Sequence, residues 1–225
     1  MGFDGGSSRT TPTAADTAFR RFVCNQGVDR ENYWLPPTAW RNCAGTAEFT
    51  DGERIWIGVD IGGERADSAV VWVNESLHVG VEIFSGDSAV LEVAALIPEL
   101  AERYTVAECA FDPWRAGQIG QELEQRRIST SAFPQHDSRM IPASQRLYDA
   151  IIEGRLVHPD DERLNAHVAS TIARHSRRGW RVDKANRSDK NDGVIALCMA
   201  LDAFENRPPP TRLIGWLGPN GFEAT

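Results

Sequence analysis

The chain has 225 residues, a formal net charge of -8 at pH 7, 41% hydrophobic residues and 25% charged residues. This length and composition are those of a globular protein with enough apolar side chains for a large core. The net negative charge argues against a protein that coats nucleic acid with its whole surface. Any contact with nucleic acid therefore requires a local basic patch.

The cysteines are scattered, with no CxxC pair and no histidine at ligand spacing; they are Cys24, Cys43, Cys109 and Cys198. We expect reduced, mostly buried thiols and no zinc site. The polar N-terminus lacks the apolar stretch of a signal peptide, and no apolar run is long enough to span a membrane. These features predict a soluble intracellular protein with no membrane partner.

Four segments are predicted along the chain. Residues 1–15 are small and polar and are predicted to be disordered. Residues 16–50 are predicted to form an ordered connector that begins with a short helix and contains a proline pair. Residues 51–207 form the main domain, and residues 208–225 an irregular tail.

The main domain opens with three apolar runs typical of strands, at 55–60, 69–74 and 77–84. Further strands are predicted at 106–112, 129–133 and 179–182, and helices at 88–104, 117–127, 143–155, 161–176 and 191–206. The last helix is apolar nearly all round and is therefore predicted to be buried. This order of elements indicates an α/β domain with a mixed sheet covered by helices.

Aspartates stand at the ends of two of these strands and at the start of the last helix. Asp60 and Asp112 end strands, Asp192 opens the helix, and Asp189 comes three residues earlier. If the two strands are neighbours, their carboxylates converge at the sheet edge where α/β proteins bind ligands. Two carboxylates 4 Å apart repel by roughly 4 kcal/mol at an effective dielectric near 20, so a divalent cation would stabilise the cluster.

Oxygen ligands without a nearby His or Cys indicate Mg²⁺ or Mn²⁺. Three carboxylates can hold two such ions about 3.5–4 Å apart, where the ions stabilise the attacking and leaving oxygens of a phosphodiester displacement. Each aspartate also has a structural explanation. Asp192 and Asp189 could serve as a first-turn acid and an N-cap, and Asp60 and Asp112 could be ordinary turn residues.

The order of the three aspartates is that of ribonuclease H-like nucleases, and longer motifs agree. The stretches "YDAIIEGRLVHPDDERLNAHVASTIAR" and "VDKANRSDKNDGVIALCMALDAF" resemble the nuclease domain of the large terminase subunit of tailed bacteriophages. The shared features are a GRLxH-type turn, a strand with DK and a KxDGxxAL helix. "FRRFVCNQGVDRENYWLPPTAW" resembles the connector that precedes this domain in the family, so the resemblance covers residues 18–206.

The resemblance implies a ribonuclease H-like mixed β-sheet flanked by α-helices, and an endonuclease that cuts concatemeric viral DNA during packaging. It implies double-stranded DNA, the terminase small subunit and the portal as partners, in the cytoplasm of the infected bacterium. By position in the motifs, it implies that Asp60, Asp112 and Asp192 are catalytic and hold two Mg²⁺ or Mn²⁺ ions. Asp189 and Lys190 are second choices from the same turn.

The family's ATPase motor is not evident, because the chain has no GxxxxGK(S/T) phosphate loop. We therefore expect either an excised nuclease domain or a naturally short protein, and no ATP-driven translocation is assigned to it.

A basic run before Asp192 is the local exception to the net negative charge. Its members are Arg174, Arg177, Arg178, Arg181, Lys184, Arg187 and Lys190. Such a run can be a solvated face, but its place next to the predicted site favours contacts to DNA phosphates. The residues assigned to DNA are Arg177, Arg178, Arg181, Lys184, Arg187 and Lys190.

Two other functions remain open. "GVDIGG" also resembles the first phosphate loop of actin-like sugar kinases, which would make the chain a small-molecule phosphotransferase. A catalytically idle docking module is the third possibility. Among other residues, Trp114 is assigned to packing and His158 to a structural role. Asp67 and Glu82 could approach the site but are not assigned to it.

Overall fold

A computed structural model describes residues 33–63, 66–207, 215–218 and 221–224. The strands are β1 (Arg54–Asp60), β2 (Ser68–Asn74), β3 (Val79–Phe84), β4 (Thr105–Phe111), β5 (Thr130–Ala132), β6 (Thr171–Ser176), β7 (Gly179–Lys184), β8 (Gly215–Gly218) and β9 (Gly221–Ala224). The helices are α1 (Ala39–Asn42), α2 (Ala89–Arg103), α3 (Pro113–Gln125), α4 (Asp137–Ile152), α5 (Glu162–Ala169) and α6 (Asp192–Glu205).

The first five strands form one sheet in the order β3-β2-β1-β4-β5. β1 and β2 are antiparallel, as are β2 and β3, whereas β4 is parallel to β1 and β5 is parallel to β4. The antiparallel strands come from the three apolar runs that follow one another closely in the chain. The parallel strands are joined through helices, as parallel connections require. The predicted mixed sheet with flanking helices is confirmed.

Side chains alternate between the two faces of the sheet, and this alternation divides the core. On β1, Ile55, Ile57 and Val59 pack in the cluster that includes apolar residues of α2 and α3. Trp56 points to the opposite face, where its ring meets Phe204 of α6 edge-on at 5.0 Å. Residues two apart on a strand share a face. The face covered by α6 is therefore the one that receives residues 58 and 60.

Helix α6 lies directly on β1 at Gly58. A Cβ atom built on Gly58 would stand 2.0 Å from the backbone oxygen of Ala196, so only glycine permits this approach. Every residue of α6 from Asp192 to Phe204 is buried. This confirms the sequence prediction of a helix buried nearly all round.

The described part of the connector packs into the same core. Trp34, Leu35, Trp40 and Cys43 belong to the cluster that also contains α4 and α6 residues. His158 is fully buried and stacks on Trp40 with ring centroids 3.8 Å apart, which agrees with a structural role. Free buried thiols are found at Cys43, Cys109 and Cys198, as expected.

The chain departs from the sequence prediction after α5. We predicted one helix over 161–176, but the helix ends at Ala169 and Thr171–Ser176 forms a hairpin with β7. The hydroxyls of Ser170 and Thr171 donate to the carbonyl oxygens of Ala166 and His167, which competes with continuation of the helix. The following residues pair with the adjacent strand β7 instead.

Two further predictions concern the ends of the chain. In the tail, β8 and β9 pair as an antiparallel hairpin, where the sequence predicts irregular structure. The predicted disorder at 1–15 and the predicted helix near the start of the connector lie outside the described residues. Among the described helices, none is long and apolar enough to cross a bilayer.

Candidate active site

Asp60 and Asp112 follow directly from paired residues of neighbouring parallel strands. Val59 on β1 is in register with Phe111 on β4, so the next residue of each strand lies at the same sheet edge. Val59 faces the cluster that includes α2 and α3 residues, and the alternation therefore turns Asp60 toward α6, whereas Asp112 lies one residue beyond β4. The two strand ends are neighbours in the sheet, as the sequence predicts.

The Asp60 carboxylate is held by a glutamine from the far side of β4. Its Oδ1 atom accepts a hydrogen bond of 2.7 Å from Nε2 of Gln135, which lies beyond β5. Asp60 is buried, with 6% of its surface exposed. The backbone oxygen of Gln135 accepts a hydrogen bond from Nη1 of Arg181 at 2.9 Å. This chain of bonds ties the end of β1 to the β6–β7 hairpin.

Asp112 caps helix α3. Its Oδ1 atom accepts a hydrogen bond of 3.1 Å from the backbone N–H of Trp114, and Pro113 takes the first helical position. The side chain of Trp114 is 92% exposed, so its assignment to packing is wrong. Pro113 directs the chain into the helix, which leaves the indole at the surface beside the strand end.

Asp192 opens α6 and is almost completely buried, with 4% exposed. Its Oδ2 atom has no hydrogen-bond partner in the described part of the protein. Burial raises the pKa of Asp192, and the charge of the nearby Lys184 opposes that rise. Its position follows from the contact of Gly58 with Ala196. Asp192 precedes Ala196 by about one helical turn, and this places it at the same end of β1 as Asp60.

The three aspartates are brought to one end of the sheet, but not yet to one coordination geometry. Within the described ranges, no three His, Cys, Asp or Glu side chains stand close enough together to hold a metal ion. Asp60 and Asp112 are each engaged by a hydrogen bond donor. A metal ion held by all three would therefore bring these carboxylates closer together than they stand in the described structure.

The second choices from the same turn have other partners. Asp189 accepts hydrogen bonds from the backbone N–H and the side-chain amide of Asn186, at 2.9 and 3.0 Å, and so closes its own turn. Lys190 donates from Nζ to Oδ1 of Asp67 at 2.6 Å. Both side chains stabilise the loop before α6.

Asp67 is a buried residue of this region that the sequence analysis did not assign to the site. Its carboxylate accepts hydrogen bonds from Ser85, Lys190 and His167, and only 3% of the residue is exposed. Burial acts to raise the pKa of Asp67, but the hydrogen bonds from Lys190, Ser85 and His167 outweigh it and lower the pKa. Asp67 stands two residues before Ala69, which belongs to the cluster on the α6 side of the sheet. Alternation of side chains therefore indicates that Asp67 also lies on the α6 side.

Residues 68–207 match the family model described as "Terminase large subunit, endonuclease domain". The chain belongs to this family. Among curated protein sequences, none matched significantly.

Solved structures of terminases share the ribonuclease H-like fold of this terminase nuclease domain. The HK97 bacteriophage large terminase has a TM-score of 0.65 at 19% identity, over 76% of this chain and 43% of that chain. The large terminase nuclease from thermophilic phage G20c has a TM-score of 0.61 at 18% identity, over 75% of this chain and 97% of that chain. The same nuclease with bound magnesium has a TM-score of 0.60 at 18% identity, over 77% of this chain and 98% of that chain.

The basic run of this terminase nuclease domain divides into exposed and engaged side chains. Arg177 and Arg178 are exposed at the turn between β6 and β7, and Arg187 is exposed in the loop after β7. Arg181 points inward, toward Gln135 and within 3.5 Å of Asp137. Lys184 is partly buried, and its positive charge acts to lower the pKa of Asp192.

Proposed function

We propose that this chain is a metal-dependent endonuclease that cuts concatemeric phage DNA during genome packaging. The observation that supports this most is the convergence at one sheet edge. Asp60 ends β1 on the face covered by α6, Asp112 follows the adjacent parallel strand β4, and α6 begins with Asp192, whose buried Oδ2 atom has no hydrogen-bond partner among the described residues. Membership of the terminase endonuclease family agrees with this chemistry.

The donor set suits a hard divalent cation. The side chains at the site offer carboxylate oxygens. The described cysteines are buried thiols and are not part of this site. The Oδ2 atom of Asp192, which lacks a hydrogen-bond partner within the described ranges, belongs to a buried carboxylate that a cation would neutralise. Two Mg²⁺ or Mn²⁺ ions, held by Asp60, Asp112 and Asp192, would supply Lewis-acid activation of water and neutralisation of the leaving oxygen.

The protein's own residues would orient the substrate. Lys184 lies close enough to Asp192 for its positive charge to lower the pKa of that carboxyl. The same charge can neutralise a phosphate bound beside Asp192. Arg177, Arg178 and Arg187 are free to contact the DNA backbone farther from the cut. Contacts to phosphates carry no base information, so we expect weak sequence preference.

The biological setting follows from the family and is part of the proposal. We infer that double-stranded DNA is the substrate, that the terminase small subunit and the portal are partners, and that the protein acts in the cytoplasm of the infected bacterium. The nuclease of phage G20c binds magnesium, which supports the choice of cation.

A catalytically idle docking module is the second candidate. The separation of the carboxylates favours it, since the described residues contain no ready metal cluster. The phosphotransferase alternative has no such support, because the matched family is an endonuclease family.

A plasmid-nicking assay separates the two candidates. We expect cutting of supercoiled DNA with Mn²⁺ or Mg²⁺, and none with EDTA. Each of the changes Asp60→Asn, Asp112→Asn and Asp192→Asn should reduce cutting by more than about 100-fold. This loss is larger than the one expected for a residue that only orients a metal ligand. Asp51→Asn is the matched control, because Asp51 is exposed at the opposite end of β1. Absence of cutting by the wild type under all metal conditions would favour the docking module.

A further inference from the structure

The first turn of α6 is capped by a residue from another helix. The N-cap residue, Asn191, makes no side-chain hydrogen bond to the helix. The backbone N–H of Gly193 donates instead to Nδ1 of His167 on α5, at 3.0 Å. His167 is 3% exposed. An N–H group that the helix itself leaves unpaired is thus satisfied by a buried imidazole.

The two ring nitrogens of His167 have fixed roles. A backbone N–H can only donate, so Nδ1 must accept and carries no proton. With no proton on Nδ1 the ring is neutral, and burial, which lowers the pKa of His167 against the opposing hydrogen bond to Asp67, agrees with this. The proton lies on Nε2 and is donated to Oδ2 of Asp67 at 3.1 Å.

The same carboxylate also holds the chain just before α6. Oδ1 of Asp67 accepts from Nζ of Lys190 at 2.6 Å and from the hydroxyl of Ser85 at 2.6 Å. Lys190 precedes Asp192 by two residues, and Gly193 follows it. The backbone around Asp192 is therefore held on both sides by bonds that lead to one buried aspartate.

This arrangement leaves the Oδ2 atom of Asp192 available. Side-chain oxygens at the start of a helix commonly accept from first-turn N–H groups. Here His167 takes the Gly193 N–H, and Oδ2 of Asp192 stays buried with no partner in the described residues. A side chain at Gly193 would crowd the imidazole, because a Cβ atom there would stand 3.1 Å from Nδ1 of His167.

We propose that Asp67 and His167 are positioning residues that cap α6 from outside and hold Asp192 ready to bind a divalent cation. This inference rests on the proposed function, since it assigns the pair a role toward the same metal site. Neither residue is required to touch the metal or the DNA. Their effect reaches the site through the backbone of Gly193 and the loop at Lys190.

Mn²⁺ binding to the folded, metal-free protein tests the inference, measured by isothermal titration calorimetry well below the melting temperature. We expect His167→Leu and Asp67→Asn each to weaken Mn²⁺ binding about 10-fold or more, the usual loss for partners that orient a metal ligand. His167→Asn should recover most of the affinity, because its Oδ1 atom can occupy the place of Nδ1 and accept from Gly193.

His158→Leu is the matched control. His158 is equally buried and hydrogen-bonded, but its ring bonds to Trp40 and Asp160 instead of to the first turn of α6. We expect this variant to melt at a lower temperature and to keep the Mn²⁺ affinity of the wild type within about twofold. Hydrogen exchange of the Gly193 amide adds a readout without metal. It should be slow in the wild type and in His167→Asn, and fast in His167→Leu.

The outcomes are distinguishable. If the wild type neither binds Mn²⁺ nor cuts DNA, the proposed function and this inference both fail. If the wild type binds Mn²⁺ and folded His167→Leu or Asp67→Asn binds it equally well, only the inference fails. Equal weakening by His158→Leu would also overturn it, because the effect would then be one of general stability. If His167→Leu does not fold, Asp67→Asn carries the same test.

Discussion

Gln135 donates a hydrogen bond of 2.7 Å from Nε2 to Oδ1 of Asp60. The bond joins the loop after β5 to the end of β1, and it holds a buried carboxylate in one orientation. Carboxylates that bind metal ions are commonly oriented by such partners, whose loss reduces metal affinity or activity 10- to 100-fold. Gln135 therefore links the sheet edge to the proposed catalysis.

Gln135→Ala should raise the Mn²⁺ concentration needed for half-maximal cutting by about 10-fold, because Asp60 loses the donor that orients it. The measurement is plasmid nicking over a Mn²⁺ series. Gln145→Ala is the control, since Gln145 makes an exposed hydrogen bond to Asp149 on α4. An identical Mn²⁺ response in Gln135→Ala and the wild type would contradict a role for this bond.

Asp192→Asn should stabilise the metal-free protein at pH 7 by on the order of 1 kcal/mol, because it removes a buried charge whose Oδ2 atom has no hydrogen-bond partner in the described part of the chain. The folded state raises the pKa of Asp192 above its usual value of 3.8. The folded wild type therefore binds a proton more tightly than the unfolded chain and loses stability as pH rises through the raised pKa. The advantage of the variant should shrink toward pH 4.

Mn²⁺ should reverse this order of stability. A cation bound only by the folded wild type stabilises it by roughly 2.7 kcal/mol at a hundredfold excess over the dissociation constant, and Asp192→Asn should lose most of that gain. Thermal unfolding with Mn²⁺ and then EDTA measures both effects. Equal Mn²⁺ shifts in the two proteins would remove Asp192 from the metal site.

Replacing Arg177 and Arg178 together by Gln should weaken DNA binding and reduce its dependence on salt. Each phosphate contact contributes about 0.9 to the slope of log K against log salt, so the slope should fall by about 1.8. The control is the same change at Arg126 and Arg127, which are exposed at the other end of α3 from Asp112. Equal losses in both pairs would indicate a general effect of charge.

Acidification should destabilise the protein through His158. Burial lowers the pKa of His158 below 6.5, although hydrogen bonding to Trp40 and the charge of Asp160 oppose this. The unfolded chain therefore binds a proton more tightly, and stability is lost as pH falls below 6.5 toward the folded pKa. His158→Gln should lower stability at pH 7.5 and flatten the decline of the melting temperature between pH 7.5 and 5.5. A decline as steep as that of the wild type would assign the acid sensitivity to other groups.

The sheet and the two strand-end aspartates could be predicted because their signals are local. Apolar runs marked the strands, and the terminal positions of Asp60 and Asp112 placed both at one edge. The partners of Asp67 could not be found this way, since His167 and Lys190 are 100 and 123 residues away in sequence. Arg181 likewise belongs to a basic run, yet the fold turns it toward Gln135.

The absence of a side chain at Gly58 has a consequence for how this nuclease domain tolerates change. Where α6 meets β1, two backbones touch, so the separation of helix and strand at that point does not depend on the size of any side chain. Backbone contact thus sets the spacing between the end of β1 and the first turn of α6. This accords with a shared fold at 18% identity to the nuclease of phage G20c.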